Sequence, residues 1–164
     1  VSRARRSLLA AAALLLLATE ARAAPACPVE LVLRALPSGA ELARVGTDDA
    51  GGFALAFRHS VTLRTVVDRY RIEDGTIVQV EQLFDTHGPG LPDVAAPGLA
   101  FARDGDRFRV RMHRPIDRLV LRPTAASENR LLAAGAIELW RLGAPVLELG
   151  PAPCPAPRLA TEVR

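Results

Sequence analysis

Beyond about the first two dozen residues, apolar and polar side chains alternate in short runs separated by turn formers. This period-two pattern marks half-buried strands. Val29–Ala35 and Glu41–Val45 flank Pro37-Ser38-Gly39, a hairpin turn, and Thr47–Gly52 is a polar loop ending in glycine. In the next stretch Phe53, Leu55, Phe57, His59 and Val61 alternate with smaller or charged neighbours. Val66–Glu73 and Thr76–Thr86 follow on either side of Asp74-Gly75, and Leu99–Arg103 and Arg107–His113 flank Asp104-Gly105, the strongest short hairpin signal. Asp117–Arg122 and Ala136–Leu142 complete the set, while Ser127–Ala134 reads equally as a short helix or a strand. The pattern predicts an all-β domain, a single antiparallel sandwich or barrel of about nine strands. No helix-period run is long enough for βαβ units, and no internal repeat is present.

Alternation also assigns faces. If Thr62-Leu63-Arg64-Thr65 closes a four-residue loop, antiparallel pairing sets His59 opposite Asp68. Phe53, Leu55, Phe57, His59 and Val61 then share an apolar face with Val66, Asp68, Tyr70 and Ile72, while Arg58, Ser60, Arg69 and Arg71 face solvent. A bulged three-residue turn with left-handed Gly75 brings Val78, Val80, Gln82 and Phe84 to the same inner face. A tighter Asp74-Gly75 turn puts Glu81 beside Asp68 instead, and the hydrophobic pattern favours the bulged turn. Thr86-His87-Gly88-Pro89-Gly90-Leu91-Pro92 reads as a rigid loop set beside the His59–Asp68 pair. A buried imidazole facing a buried carboxylate is costly unless each satisfies the other. Two readings stand: a structural pair that fixes register, or a binding or catalytic site in which Asp68 orients His59.

The N-terminal segment changes the charge argument. Arg3, Arg5 and Arg6 precede an eleven-residue apolar run, Leu8 to Ala18, and Ala21-Arg22-Ala23 offers small residues where a signal peptidase reads. We expect a cleaved signal over residues 1–23, a β-rich domain over 24–150 and a Pro-rich tail over 151–164, with delivery to the periplasm or medium; an uncleaved anchor is the alternative. The whole chain carries 21 basic and 18 acidic residues, and cleavage after Ala23 leaves 17 of each. The high sequence pI of about 9.6 thus comes from the leader, and nothing argues for nucleic acid or for stable membrane insertion after cleavage. Cys27 and Cys154 form a candidate disulfide in an oxidising compartment, one that would close a loop worth about 4–5 kcal/mol in chain entropy. A lipidated Cys27 is the rival reading.

Phe53–Val61 with His59-Ser60-Val61, then Asp68, then Thr86 with Gly88-Pro89-Gly90-Leu91-Pro92, form an ordered pattern. Over residues 29–142 the chain resembles the bacterial family called domain of unknown function 1850. It departs from the family pattern at Asp68 (usually Glu), Thr86 (Ser), His87 (an aromatic) and Pro89 (Ala). The resemblance implies a small secreted or membrane-anchored protein, encoded beside solute-binding and membrane components of tripartite ATP-independent periplasmic transporters. Partners are therefore expected among transporter components or their solute receptor. It implies no activity.

The residues themselves argue against most chemistries. Ser60 and His59 are adjacent in a strand pattern and point to opposite faces, so they cannot act as nucleophile and base, and no Gly-x-Ser-x-Gly elbow occurs. Gly88-Pro89-Gly90 lacks the helix and lysine of a phosphate loop, so no cofactor is expected. His59, Asp68 and His87, with His113 as an addition, are acceptable metal-ligand types at a spacing that matches no short motif. The candidate binding residues are thus His59, Asp68, His87, Gly88 and Gly90. The leading expectation is a non-enzymatic periplasmic accessory or binding module, and the alternative a small metal protein or enzyme centred on His59 and Asp68.

Overall fold

A computed structural model describes residues 29–92 and 97–152. The expected signal segment, the Cys27–Cys154 bridge and nearly all of the Pro-rich tail lie outside them.

Among the described residues eleven strands form two antiparallel sheets, a sandwich and not a closed barrel. They run β1 (Glu30–Ala35), β2 (Glu41–Gly46), β3 (Gly52–Arg58), β4 (Thr65–Glu73), β5 (Thr76–Phe84), β6 (Ala100–Asp104), β7 (Arg107–Ile116), β8 (Leu119–Leu121), β9 (Arg130–Leu132), β10 (Ala136–Glu138) and β11 (Leu147–Ala152). A 3-10 turn covers Leu139–Leu142. The smaller sheet has the order β2-β1-β11-β8 and the larger β10-β9-β3-β4-β5-β7-β6. The ambiguous segment before Ala136 thus contributes a strand, β9.

The core is divided in two. In one cluster Leu31, Leu33, Leu147 and Leu149 of the small sheet meet Phe53, Leu55, Tyr70 and Ile77 of the large one. A second cluster, Val66, Phe84 and Val110 with Phe57, Phe101, Phe108 and Met112, occupies the other end of the large sheet. There Leu91 and Leu99, from the β5–β6 connection, supply part of the cover in place of the second sheet.

Two hairpins differ from the expected registers. β3 pairs with β4 as Phe57↔Val66, Leu55↔Asp68 and Phe53↔Tyr70. Asp68 therefore faces Leu55, and His59 lies past the strand end. The register is shifted by four residues, an even number, so the paired residues of the apolar face keep their side. Val61, expected on that face, instead lies past the strand end and is 64% exposed, and the expected His59–Asp68 pair does not form. Between β4 and β5 the turn is the tight one: Glu73 pairs with Thr76, and Asp74 and Gly75 have φ +49° and +78°. Both central residues at positive φ is what a twisted two-residue hairpin demands. Ile77 and Gln79 consequently join the inner face, opposite Ile72 and Tyr70, and Val78 faces outward opposite Arg71.

A bulge then changes the phase. Tyr70 pairs with Gln79 but Arg69 with Glu81, which leaves Val80 as the extra residue. Beyond it Gln82 lies opposite Asp68, with Phe84 on the same face, as the hydrophobic pattern requires. Glu81 is turned to the outer face. Only 7% exposed, it is held there by Arg69 at 2.9 Å, Arg109 at 3.6 Å and Arg111 at 3.7 Å. Replacing it by alanine leaves three crowded guanidiniums without their shared counter-charge. We expect Glu81→Ala to lower the free energy of unfolding by roughly 1–3 kcal/mol. Urea denaturation checks this, and Glu81→Gln should recover only the hydrogen-bonding part.

Candidate functional site

His59 acts as a clip between two loops. Its main chain closes the β3–β4 loop: its N–H donates to the Arg64 carbonyl at 2.8 Å, and its carbonyl accepts from Leu63 at 2.9 Å. Its imidazole is 8% exposed and uses both nitrogens on backbone groups. Nδ1 accepts from the N–H groups of Val61 and Thr62, each at 3.2 Å. Nε2 lies 3.0 Å from the Pro89 carbonyl. A carbonyl can only accept and an amide N–H can only donate, so these partners select the neutral ring protonated on Nε2.

The receiving loop is built for this contact. Leu91 N–H donates to the Gly88 carbonyl at 3.0 Å, closing a turn with Pro89 and Gly90 at its centre. Gly90 has φ +84°. Pro followed by a left-handed Gly specifies a type II turn, whose central peptide leaves the Pro carbonyl free for an outside donor. Gly88 is needed for a different reason. A Cβ there would stand 2.7 Å from Thr62 Cγ2 and 3.1 Å from His59 Cε1, so a side chain at 88 forces the Thr62 methyl and the ring to shift.

The remaining sequence candidates part company with this corner. His87 packs on the aromatic cluster, its ring centroid 4.2 Å from that of Phe108 and 6.1 Å from that of Phe101, with Arg103 over Phe108 at 5.1 Å. Asp68 belongs to a separate polar network across β4, β5 and β7. Gln82 Nε2 donates to its Oδ1 at 2.7 Å, and Tyr70 Oη lies 3.5 Å from its Oδ2. Next to it Gln79, 1% exposed, accepts from the guanidinium of Arg114. Burial pushes the Asp68 carboxyl above the usual range, opposed by the Gln82 hydrogen bond and the charge of Arg114. Burial, and then the charge of Asp68, also raise the Tyr70 phenol. Sequence reading missed Gln79 and Arg114 as members; Gln79 between the valines of β5 was the available signal, whereas Arg114 sits in a strand rich in arginine. Among the described residues no group of three or more His, Cys, Asp or Glu side chains is placed to hold a metal ion.

The fold and corner thus define a β-sandwich module whose motif histidine joins two loops, with Gly88 making room for its ring and Gly90 turning the chain beneath it. The chain belongs to the family described as Domain of unknown function (DUF1850), whose model matches residues 53–139. That span takes in the large sheet almost whole and leaves out β1, β2 and β11 of the small one. No curated protein and no solved structure matches the chain.

Two outcomes follow. Gly88→Ala should cost about 1–3 kcal/mol in urea denaturation, and adding Thr62→Ser, which deletes the nearest methyl, should restore part of it. For Asp68, whose folded pKa is raised, the charging penalty is absent below the unfolded pKa and fully present above the folded one. Wild type should therefore lose stability relative to Asp68→Asn as pH rises through the upper carboxylate range. Urea midpoints from pH 3 to 8 read this directly, and a constant gap would contradict it.

Proposed function

We propose that the protein is an exported, non-enzymatic accessory module that binds through the corner made by the β3–β4 loop and the Gly88–Leu91 turn, and that it works with components of a solute transporter. One observation carries this reading. The motif imidazole has no nitrogen left for substrate, because Nδ1 and Nε2 are both committed to main-chain partners. A catalytic or metal-binding histidine needs a free nitrogen. The motif therefore shapes a surface. What the clip presents supports the same view: Val61 and Leu63 are 64% and 57% exposed, and Leu63 holds φ +57°, an uncommon conformation for a non-glycine residue. The export step is supported by the leader pattern, and the transporter connection by the family resemblance alone.

A second reading rests on the Asp68 network. A carboxylate raised by burial, beside two glutamines and an arginine with an exposed residue surface, sits where an apolar side chain would stabilise the sheet better. Such a group suits a small polar ligand or proton transfer at Asp68, without His59.

A photo-crosslinking residue at Val61, introduced in the native host, is expected to trap a solute-receptor or membrane component of a transporter. The same residue at Leu42, on edge strand β2, should trap none. Equal capture from both positions would contradict the corner as the docking face. Nitrogen-15 NMR of His59 should show Nε2 protonated and Nδ1 bare at neutral pH. The reverse tautomer would remove the premise.

A further inference from the structure

Beside the clipped loop a cleft of about 300 Å³ opens on the outer face of the large sheet. Its floor is the cross-strand pair Val67 and Leu83. Leu63 forms one lip and Arg107, at the start of β7, the opposite wall, with Arg64 and Asp85 between. The volume is at the small end of ligand pockets, which run from roughly 300 to 1,000 Å³.

The charges in the cleft are not equivalent. Arg64 forks onto Asp85, its Nε 3.0 Å from Oδ2 and 3.2 Å from Oδ1, and this ion pair holds the Asp85 carboxyl below its usual range. Those two groups offset each other. Arg107 is exposed and, among the described residues, makes no ion pair, so it is the cleft's cation without a partner of its own, beside a floor that carries Val67 and the largely buried Leu83. Leu63 adds an aliphatic wall at a double cost, since it is exposed and held at positive φ. Its conformation is imposed by the His59 clip, through the Leu63 N–H to His59 carbonyl bond.

The geometry points to an amphipathic anion as the ligand of this cleft: a carboxylate or phosphate head on Arg107, with a short aliphatic chain laid over Val67 and Leu83 against Leu63. This deepens the reading of the corner as a binding surface and rests on it. The head could belong to a free fatty acid or to a membrane lipid, which present the same chemistry.

The test uses the full chain and sodium decanoate below its micelle concentration, followed by calorimetry and amide NMR. Saturable binding is expected, with shifts at Leu63, Val67 and Arg107. Octanoate should bind about two- to fourfold more weakly per methylene removed. Arg107→Gln should weaken binding about tenfold. Leu63→Gly should also weaken it while leaving the melting temperature equal or higher, because glycine accepts the positive φ without strain. Vesicles of phosphatidylcholine with and without phosphatidylglycerol assign the source: binding to free decanoate marks a free amphiphile, and binding only to the anionic vesicles marks a lipid headgroup. No binding to either, binding of 1-octanol as tight as octanoate, or binding only of a peptide with an apolar C-terminus would each overturn the assignment. The His59 tautomer, read in the same samples, separates the two levels. With the clip present and decanoate unbound, only the ligand class fails; with the clip absent, the corner reading fails first.

Discussion

The hydrogen bond from the His59 ring to the Pro89 carbonyl is the constraint on which this end of the molecule depends. It joins two segments 30 residues apart in sequence, across the second core cluster that no second sheet covers. Leu91 and Leu99 can cover Val66, Phe84 and Val110 only if their connection is held down. A buried polar contact satisfied on both ring nitrogens does this with geometric definition that apolar packing alone would not give. The same residue closes the β3–β4 loop from within, through its main chain and Nδ1. One imidazole thus sets the cover of a core and the shape of an exposed loop.

The bulge at Val80 is the second organising device. Before it, β5 follows the phase set by its turn; after it, the phase set by the hydrophobic pattern. The change lets one strand place Gln79 and Gln82 inward around Asp68 while turning Glu81 outward to three arginines. The polar network thereby falls between the two apolar clusters, where it interrupts neither.

How legible was this in the sequence? The all-β class and the membership of the apolar face of β3 and β4 could be read because both rest on period-two alternation, which survives an even slip. The register could not. His59-Ser60-Val61 continues the alternation, so nothing in the pattern marks where pairing stops; the strand ends where the His59 side chain captures the backbone N–H groups of Val61 and Thr62. At Asp74-Gly75 the local turn signal and the global pattern gave opposite answers, and the chain satisfies both by inserting Val80. The Gly88–Pro92 loop was correctly set against His59 but not against Asp68. Its glycine spacing signals rigidity, while its partner is chosen by three-dimensional proximity.

The interlock of Gly88 with His59 bears on how the corner can vary between descendants of the gene. A side chain gained at 88 collides with the ring, and a smaller residue at 59 leaves the Pro89 carbonyl and two loop amides without their partner. A replacement at either position therefore destabilises the corner unless its partner changes with it. The exposed side chain of Val61 can change without disturbing this contact, while Gly88 and His59 are inherited together as one character.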